Sequence, residues 1–341
     1  MKIIRVAKEL GTRGIMNRSD QREVVLAENG EIHNPINVDL VSAIIKCLCC
    51  SIGIPLNLFI AFIICHRRRL HRKPRNYFLL GIILSHLSFF IPSSIELIYW
   101  GLYPVESLCR AYVAVVILPQ GLLLTNVLLA LIDRYLAINH PMLHRRKMTA
   151  QFAGCLIITC SMLTVFLMKF VYIVQLGTIR CEVWLVDIKV HAIILIILFA
   201  SCIVLNIIIY RQTKNLLRES RTLQTTQNDR DPSNRGTSNY ATTGTQMCIH
   251  TDREKLGVIE MEATRTLVIG VTSLCVMSCL TLTFNATFFA CRLIYGQFSC
   301  TNLLKIVPFV REFSMTPAIY GPIIFLVKNK ELRACACKIA R

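Results

Sequence analysis

The chain alternates between long apolar runs and shorter polar segments, and the apolar runs are its dominant pattern. Each run holds roughly 20 or more mainly apolar residues, enough for an α-helix to cross a hydrocarbon core about 30 Å thick. A lone strand would leave its backbone groups unpaired in lipid, so helices are expected. The predicted spans are, in chain order, 39–65, 76–100, 109–135, 150–175, 188–210, 264–290 and 302–327. The pattern therefore predicts an all-α membrane protein built as a seven-helix transmembrane bundle.

Polar segments divide the chain into three parts. Residues 1–38 are mixed in charge and predict a mobile tail, in which Asn17 opens a glycosylation sequon. Residues 39–327 form the transmembrane domain, interrupted by a flexible polar loop at 211–262 that lacks the apolar area needed to fold alone. The ends of this loop are expected to continue the fifth and sixth helices. Residues 328–341 follow the last span.

Composition supports a membrane protein. Hydrophobic residues make up 54% of the 341 positions, charged residues make up 17%, and the mean hydropathy is +0.53. Soluble chains average about 45–50% apolar and about 25% charged residues. The formal net charge of +18 lies beside the spans rather than on a soluble module, which argues against a nucleic-acid-binding protein. The first 35 residues contain no signal-peptide hydrophobic region, so the first span is expected to act as an uncleaved insertion signal.

Lys and Arg residues concentrate on one side of the predicted spans. The connection 66–75 holds six of them and no acidic residue, the third connection holds Arg145, Arg146 and Lys147, and the tail after the last span holds five. The connections on the other side of the spans carry few Lys or Arg residues. Because basic loops stay in the cytoplasm, the amino terminus is expected outside the cell and the carboxy terminus inside.

The sixteen cysteines fall mostly inside the apolar runs, where they are expected to be reduced packing residues. Cys335 and Cys337 instead follow the last span, and cysteines next to a membrane helix are candidate palmitoylation sites.

The third span closes on Asp133, Arg134 and Tyr135, at its basic end. Charges are costly at the end of a membrane helix unless they pair or face a polar partner. One interpretation is an interfacial ion pair that marks the end of the helix. The other is a switch, in which Arg134 leaves Asp133 when neighbouring helices move. Glu260 or Glu262, before the sixth span, could pair with Arg134, although a solvated helix end is the simpler explanation of each.

These motifs resemble those of the rhodopsin-like, class A G-protein-coupled receptors over residues 39–338. The matching residues are Gly53, Asn57, Asn76, Asp133, Arg134, Tyr135, Pro141, Tyr210 and Pro322. The resemblance implies an extracellular ligand, a heterotrimeric G protein as partner, a plasma-membrane location and a short amphipathic eighth helix after the seventh span. Activation in such receptors breaks the ion pairing of Arg134, which then meets a G-protein tail. The residues so implied in the switch are Asp133, Arg134, Tyr135, Tyr210, Glu262 and Pro322.

The resemblance also implies a disulfide on the outer side. Cys109 and Cys181 would tie the loop before the fifth span to the third span, and disulfides persist in that compartment. Cys291 and Cys300 flank the last outer loop, and a second bridge between them is left open.

Five positions depart from the family pattern. His86 stands where an aspartate is typical, so no sodium site of the family type is expected, and a hydrogen-bonded core histidine is favoured. Gly321 and Phe325 replace the Asn and Tyr of the seventh-span motif. Ser278 and Leu280 stand where the family carries Trp and Pro, so the sixth helix is expected to be straighter. Whether activation follows the usual mechanism is left open.

The outer half of the bundle supplies candidates for a ligand pocket. They are Glu96, Tyr112, Val116, Gln120 and Arg311. Val116 stands where receptors for biogenic amines carry an aspartate, so an anchor of that type is not expected. Arg311 could bind an acidic ligand group, or it could pair internally with Glu96 or Glu312. Chemosensory, peptide and other small-molecule ligands all fit.

Other classes of function fit the sequence less well. The sequence has no internal repeat of the kind found in transporters built from paired halves. This lack of repeats weighs against a transporter or a channel. No nucleophile–base pair or cluster with metal-ligand spacing in the spans indicates an enzyme, a metal site or a cofactor. A receptor-shaped protein that no longer signals stays as an alternative, because the sixth- and seventh-span motifs are altered.

Overall fold

The computed structural model describes residues 40–101, 106–173, 185–228, 264–284, 286–287, 290–291 and 307–339. None of these residues forms a strand. The helices are α1 (Leu40–His66), α2 (Arg68–His71), α3 (Pro74–Ser88), α4 (Phe90–Gly101), α5 (Glu106–Val115), α6 (Leu118–Asn139), α7 (Pro141–Lys147), α8 (Ala150–Ile173), α9 (Leu185–Asn228), α10 (Thr264–Phe284), α11 (Val307–Met315), α12 (Pro317–Lys328) and α13 (Lys330–Ile339). The predictions for Asn17, Cys181, Glu262 and Cys300 lie outside the described residues.

Six stretches of the described chain are long and apolar enough to cross a membrane. They are Leu40–His66, Pro74–Tyr99, Ser107–Asn139, Ala150–Phe170, His191–Leu216 and Thr264–Phe284, and each overlaps one of the first six predicted spans. The first span is thus α1, the second α3 with α4, the third α5 with α6, the fourth α8, the fifth α9 and the sixth α10.

The seventh predicted span corresponds to α11 and α12, which a turn at Thr316 joins. Pro317 begins α12. Proline has no backbone N–H to donate, so the hydrogen-bond ladder of a continuous helix is interrupted at this point. The prediction of an all-α bundle is confirmed, and the break shows that the seventh span is not one uniform helix.

The inner part of the third span, α6, packs against α3, α8 and α9 and so lies at the centre of the bundle. Its residues Leu123, Leu124 and Leu131 are buried. The outward faces stay apolar: Ile158 on α8 is 67% exposed and Ile197 on α9 is 60% exposed. An apolar surface of this kind is costly in water and suits lipid, in agreement with a multi-pass membrane protein.

Polar side chains link the helices inside the bundle. Asn57 Nδ2 donates to the carbonyl of Ala318 on α12 at 2.8 Å, which joins the first and seventh spans. Asn126 Nδ2 donates to Ser85 Oγ at 2.8 Å, which joins the third and second spans. Such bonds average only about 0.6 kcal/mol in membranes, so their main effect is to fix how each helix is rotated.

Two helices extend beyond the apolar spans. The fifth helix, α9, runs for 44 residues to Asn228, so the expected continuation of that helix beyond position 210 is present. The ten-residue α13 lies where the eighth helix was expected, and Leu332 anchors it in the hydrophobic core.

Candidate functional site

The end of the third span that precedes the basic helix α7 carries a buried ion pair. Arg134 Nε donates to Asp133 Oδ2 at 3.0 Å, and Nη2 of the same guanidinium donates to the same oxygen. Both side chains are buried. Since a buried charge without a partner is costly, each residue stabilises the charge of the other. The pairing is compatible with both interpretations of this motif, the marker of a helix end and the switch.

A histidine that the sequence analysis missed completes this arrangement. His144 Nε2 lies 2.8 Å from Asp133 Oδ1, and because a carboxylate only accepts hydrogen bonds, the imidazole is the donor. His144 belongs to α7, a short helix that Pro141 begins immediately after the third span. Asp133 therefore binds Arg134 with one oxygen and the α7 helix with the other. A histidine after a proline-initiated turn is too common a pattern to have been singled out.

A cavity of about 60 Å³ opens beside this ion pair. The second, third, sixth and seventh spans line it, through residues that include Asn76, Arg134, Thr266 and Phe325. An α-helix with its side chains is about 10–12 Å across, so the cavity cannot admit a helix in this conformation. Entry of a partner helix would require the spans that line the cavity to move apart.

The remaining predicted switch residues differ in their surroundings. Tyr135 is half-buried, and Pro322 is buried inside α12. Tyr210 on α9 is 55% exposed, and in the described part of the chain no hydrogen bond joins it to Arg134. The structure therefore brings Arg134 together with Asp133 and His144, and it leaves Tyr210 apart.

Two of the departures from the family pattern are in direct contact. A Cβ atom placed on Gly321 would lie 2.7 Å from His86 Cε1, so the imidazole occupies the space that a side chain at position 321 would need. His86 is buried as expected. The prediction that its imidazole is hydrogen-bonded was wrong, because both ring nitrogens lack a partner among the described residues. Phe325 and Tyr320 line a small cavity beside the imidazole. The replacements at 86 and 321 therefore form one complementary packing unit.

This unit does not fit the sodium ion that the family position would hold. Hard cations prefer oxygen ligands, and an imidazole has replaced the carboxylate here. Nor do the described residues contain a group of three or more His, Cys, Asp or Glu side chains that could hold a metal ion.

The opposite half of the bundle contains a buried ion cluster around Lys46. Its Nζ lies 2.7 Å from Glu96 Oε2 and 2.8 Å from Glu312 Oε1, and Ser42 Oγ donates to Glu312 at 2.9 Å. The side chains of Lys46, Glu96 and Glu312 are 0%, 1% and 9% exposed. The cluster joins the first, second and seventh spans.

Lys46 was not among the predicted site residues, although its position in the sequence carries a signal. A lysine inside an apolar span is costly, so its presence calls for an acidic partner in another span. Glu96 and Glu312 were considered as partners of Arg311, whose side chain lies outside the described part of the structure. Both glutamates are bound to Lys46, and a pairing of either one with Arg311 stays a prediction.

The other predicted pocket residues lie along the outer part of the third span. Tyr112 is buried in a small cluster with Cys109 and half-buried Val116. Gln120 Nε2 lies 3.3 Å from Ser278 Oγ, so the residue that replaces the family tryptophan makes a polar contact with the third span. Cys109 is disulfide-bonded. Its pairing with Cys181 stays a prediction, because Cys181 lies outside the described residues.

A second ion-pair network links α13 to the connection between the first and second spans and to the first turn of α3. Glu331 accepts hydrogen bonds from Lys73 Nζ at 2.6 Å and from Arg75 Nη2 at 2.7 Å. Burial raises the pKa of Glu331, but the hydrogen bond from Lys73 and the charge of Arg75 outweigh it and hold the pKa below its ordinary value. The sequence indicated basic loops and did not indicate this pairing.

This architecture and its motifs are similar to those of one known protein family. The family model described as 7 transmembrane receptor (rhodopsin family) matches residues 56–325, which is most of the chain. The matched region extends from the first span to Phe325 in the seventh and contains the Asp133–Arg134 pair, all of the residues that line the cavity beside it except Asn329, and the His86–Gly321 contact. The search of curated proteins found no matching relative.

Proposed function

The chain belongs to the rhodopsin family of seven-transmembrane receptors, and we propose that it transmits the binding of an extracellular ligand to a heterotrimeric G protein. The observation that carries this proposal is the buried Asp133–Arg134 pair at the edge of the inner cavity. A guanidinium held on a neighbouring carboxylate next to a closable space is a group that can change partners when the helices shift.

In this proposal the ligand acts by changing helix populations. The conformation with Arg134 bound to Asp133 is the resting one, since its cavity of about 60 Å³ cannot admit a helix. A ligand that binds better to a conformation with a displaced sixth span would raise the population of that conformation. Arg134 would then be free to contact the inserted tail of the G protein, with Tyr210, Glu262 and Pro322 as further proposed members of the switch.

The basic ends of the spans support a cytoplasmic location for Arg134. Arg145, Arg146 and Lys147 are exposed on α7, directly after the third span. Basic loops stay on the cytoplasmic side, so the amino terminus would lie outside the cell and the carboxy terminus inside. We place the protein in the plasma membrane, with Asn17 as a proposed glycosylation site. The free thiols of Cys335 and Cys337 on α13 are proposed palmitoylation sites.

The proposed ligand pocket lies in the outer half of the bundle. Tyr112, Val116 and Gln120 follow the third span toward this end, and Arg311 lies on α11 of the seventh span. Glu96 is a weaker candidate for direct ligand contact, since it is held by Lys46 and almost fully buried. The rhodopsin family consists of receptors, and we propose no enzymatic activity, no cofactor and no nucleic-acid partner.

The test of G-protein coupling can be made without a known ligand. Asp133→Asn weakens the hold on Arg134, and loss of a charged hydrogen bond of about 1.5–3 kcal/mol would raise the active population roughly tenfold or more. We expect basal nucleotide exchange on purified heterotrimers to rise accordingly. Adding Arg134→Ala should abolish that rise while cell-surface expression stays the same.

Absence of exchange in every variant, with each major class of G protein and at equal surface expression, would contradict coupling. It would favour a receptor-shaped protein that does not signal. The complementary His86–Gly321 contact supports that second candidate, because it fills the place of groups that usually reorganise in the family.

A further inference from the structure

We propose that Asn139 and Gln212 are positioning residues for G-protein coupling, because their side-chain amides form a clasp that keeps Tyr210 turned away from Arg134. This inference rests on the proposed function, in which Tyr210 is a member of the switch. The simpler explanation is an incidental polar contact between two side chains that water can reach. The structure adds three observations that this explanation does not require.

The first observation is that the contact is reciprocal. Asn139 Nδ2 donates to Gln212 Oε1 at 3.2 Å, and Gln212 Nε2 donates to Asn139 Oδ1 at 3.1 Å. Asn139 Nδ2 also donates to the carbonyl of Tyr135, one turn earlier in α6, at 3.2 Å. An amide nitrogen has two hydrogens, so both donations are possible at once. The Asn139 side chain is therefore oriented by its own helix toward Gln212.

The second observation is the level at which the clasp lies. Asn139 is the last residue of α6, and Gln212 lies on α9, which packs extensively against α6. Asn139 comes five residues after Arg134, about 7.5 Å along the helix axis. Gln212 comes two residues after Tyr210, about 3 Å along its axis. The third and fifth spans run in the same direction, so Tyr210 and Arg134 differ in level by about 4.5 Å, which two long side chains can bridge.

The third observation is that Tyr210 and Gln212 lie on opposite sides of the buried line of α9. This line includes Ile209 and Thr213, which are 0% and 7% exposed. Successive residues of an α-helix are about 100° apart around its axis, so Tyr210 is about 100° from Ile209 in one direction. Gln212 is about 60° from Ile209 in the other direction. A rotation of α9 that turns Tyr210 into the bundle carries Gln212 away from Asn139.

The clasp and an inward Tyr210 consequently exclude each other. In the structure the clasp is closed and Tyr210 is 55% exposed, as this geometry requires. Both amides bind water when the clasp opens, so its net contribution is modest. A modest contribution suits a positioning contact, because a ligand that shifts helix populations can then overcome it.

The test measures basal nucleotide exchange on purified heterotrimers by variants of the full chain. Asn139→Ala and Gln212→Ala should each raise exchange about tenfold, the factor that corresponds to about 1.4 kcal/mol, because each removes both hydrogen bonds. The double variant should exceed neither single variant, since either one opens the whole clasp. The matched control Asn215→Ala should leave exchange unchanged. It removes an exposed amide of the same helix that has no hydrogen-bond partner in the described structure.

The variant Tyr210→Phe separates positioning from a general loosening of the helices. It keeps the aromatic ring and removes the hydroxyl that would contact Arg134. In the Gln212→Ala background it should return exchange to the wild-type rate or below. A gain that survives Tyr210→Phe, single effects that multiply in the double variant, or an equal gain from Asn215→Ala would overturn the proposal.

A second readout needs no G protein. With 3-fluorotyrosine inserted at position 210, a second ¹⁹F signal from the inward ring should grow about tenfold in Gln212→Ala, and no growth would contradict the clasp. Asp133→Asn leaves the clasp intact and is measured in the same exchange assay. A gain from Asp133→Asn with none from Gln212→Ala refutes the clasp alone. No gain from either, with growth of the second fluorine signal, refutes coupling and supports the clasp.

Discussion

The contact between Gly321 and His86 allows a quantitative test of the idea that two departures from the family pattern compensate each other. Substituting Gly321→Ala places a methyl carbon 2.7 Å from His86 Cε1, whereas ordinary contacts begin at 3.4 Å. The imidazole must therefore shift by about 0.7 Å, the difference between these distances, inside a buried site. Overpacking of this kind costs typically about 1–3 kcal/mol.

The same substitution should be much cheaper when the imidazole is absent. In a His86→Ala background the added methyl group meets the space that the ring has left, so Gly321→Ala should cost little. The two substitutions are then coupled by about 1–2 kcal/mol, within the range measured for residues in contact. The measurement is a double-mutant cycle from thermal unfolding of the full chain in one detergent, followed by circular dichroism.

Gly101→Ala is the matched control, because a Cβ atom at that position meets nothing within 4 Å. It should leave the unfolding temperature unchanged. Equal destabilisation by Gly321→Ala in the wild-type and His86→Ala backgrounds would refute the complementarity of the two residues.

Three further predictions address the ion networks. Lys46→Met leaves two buried carboxylates without their ammonium partner and should lower the unfolding free energy by roughly 3–5 kcal/mol. Adding Glu312→Gln to this variant should restore part of the loss. An unchanged unfolding temperature would contradict this prediction. His144→Phe removes one hydrogen bond from the switch carboxylate and should raise basal nucleotide exchange, whereas His140→Phe should not; equal effects of the two would rule out a specific role. Glu331→Gln should lower the unfolding temperature at pH 7. The pKa of Glu331 is lower in the folded protein than in the unfolded chain, where it is about 4.3. The difference from wild type should therefore disappear as the pH falls below about 4.3 and passes through the folded pKa. A difference that stays constant from pH 7 down to the acid end of the folded range would argue against the Glu331 bridge.

The Asp133–Arg134 pair was visible in the sequence because its two members are adjacent. Adjacent charges at the end of an apolar run have few other partners, so the pairing follows from local chemistry. His144 was not visible, because its approach to Asp133 depends on the turn at which Pro141 begins α7. The cluster of Lys46 and its two glutamates was not visible either, because it joins distant parts of the chain. Ser42 of this cluster and Glu312 are 270 positions apart.

The sequence by itself determined the class of structure and the location of the spans. Lipid offers no hydrogen bonds, so a run of about 20 apolar residues has to be a helix whatever its neighbours are. Only the tertiary structure decided which charges from distant parts of the chain meet and that His86 fits against Gly321. An apolar helix is equally soluble in lipid at any rotation about its axis, so packing and polar contacts with other helices set that rotation. Those contacts join residues from distant parts of the chain.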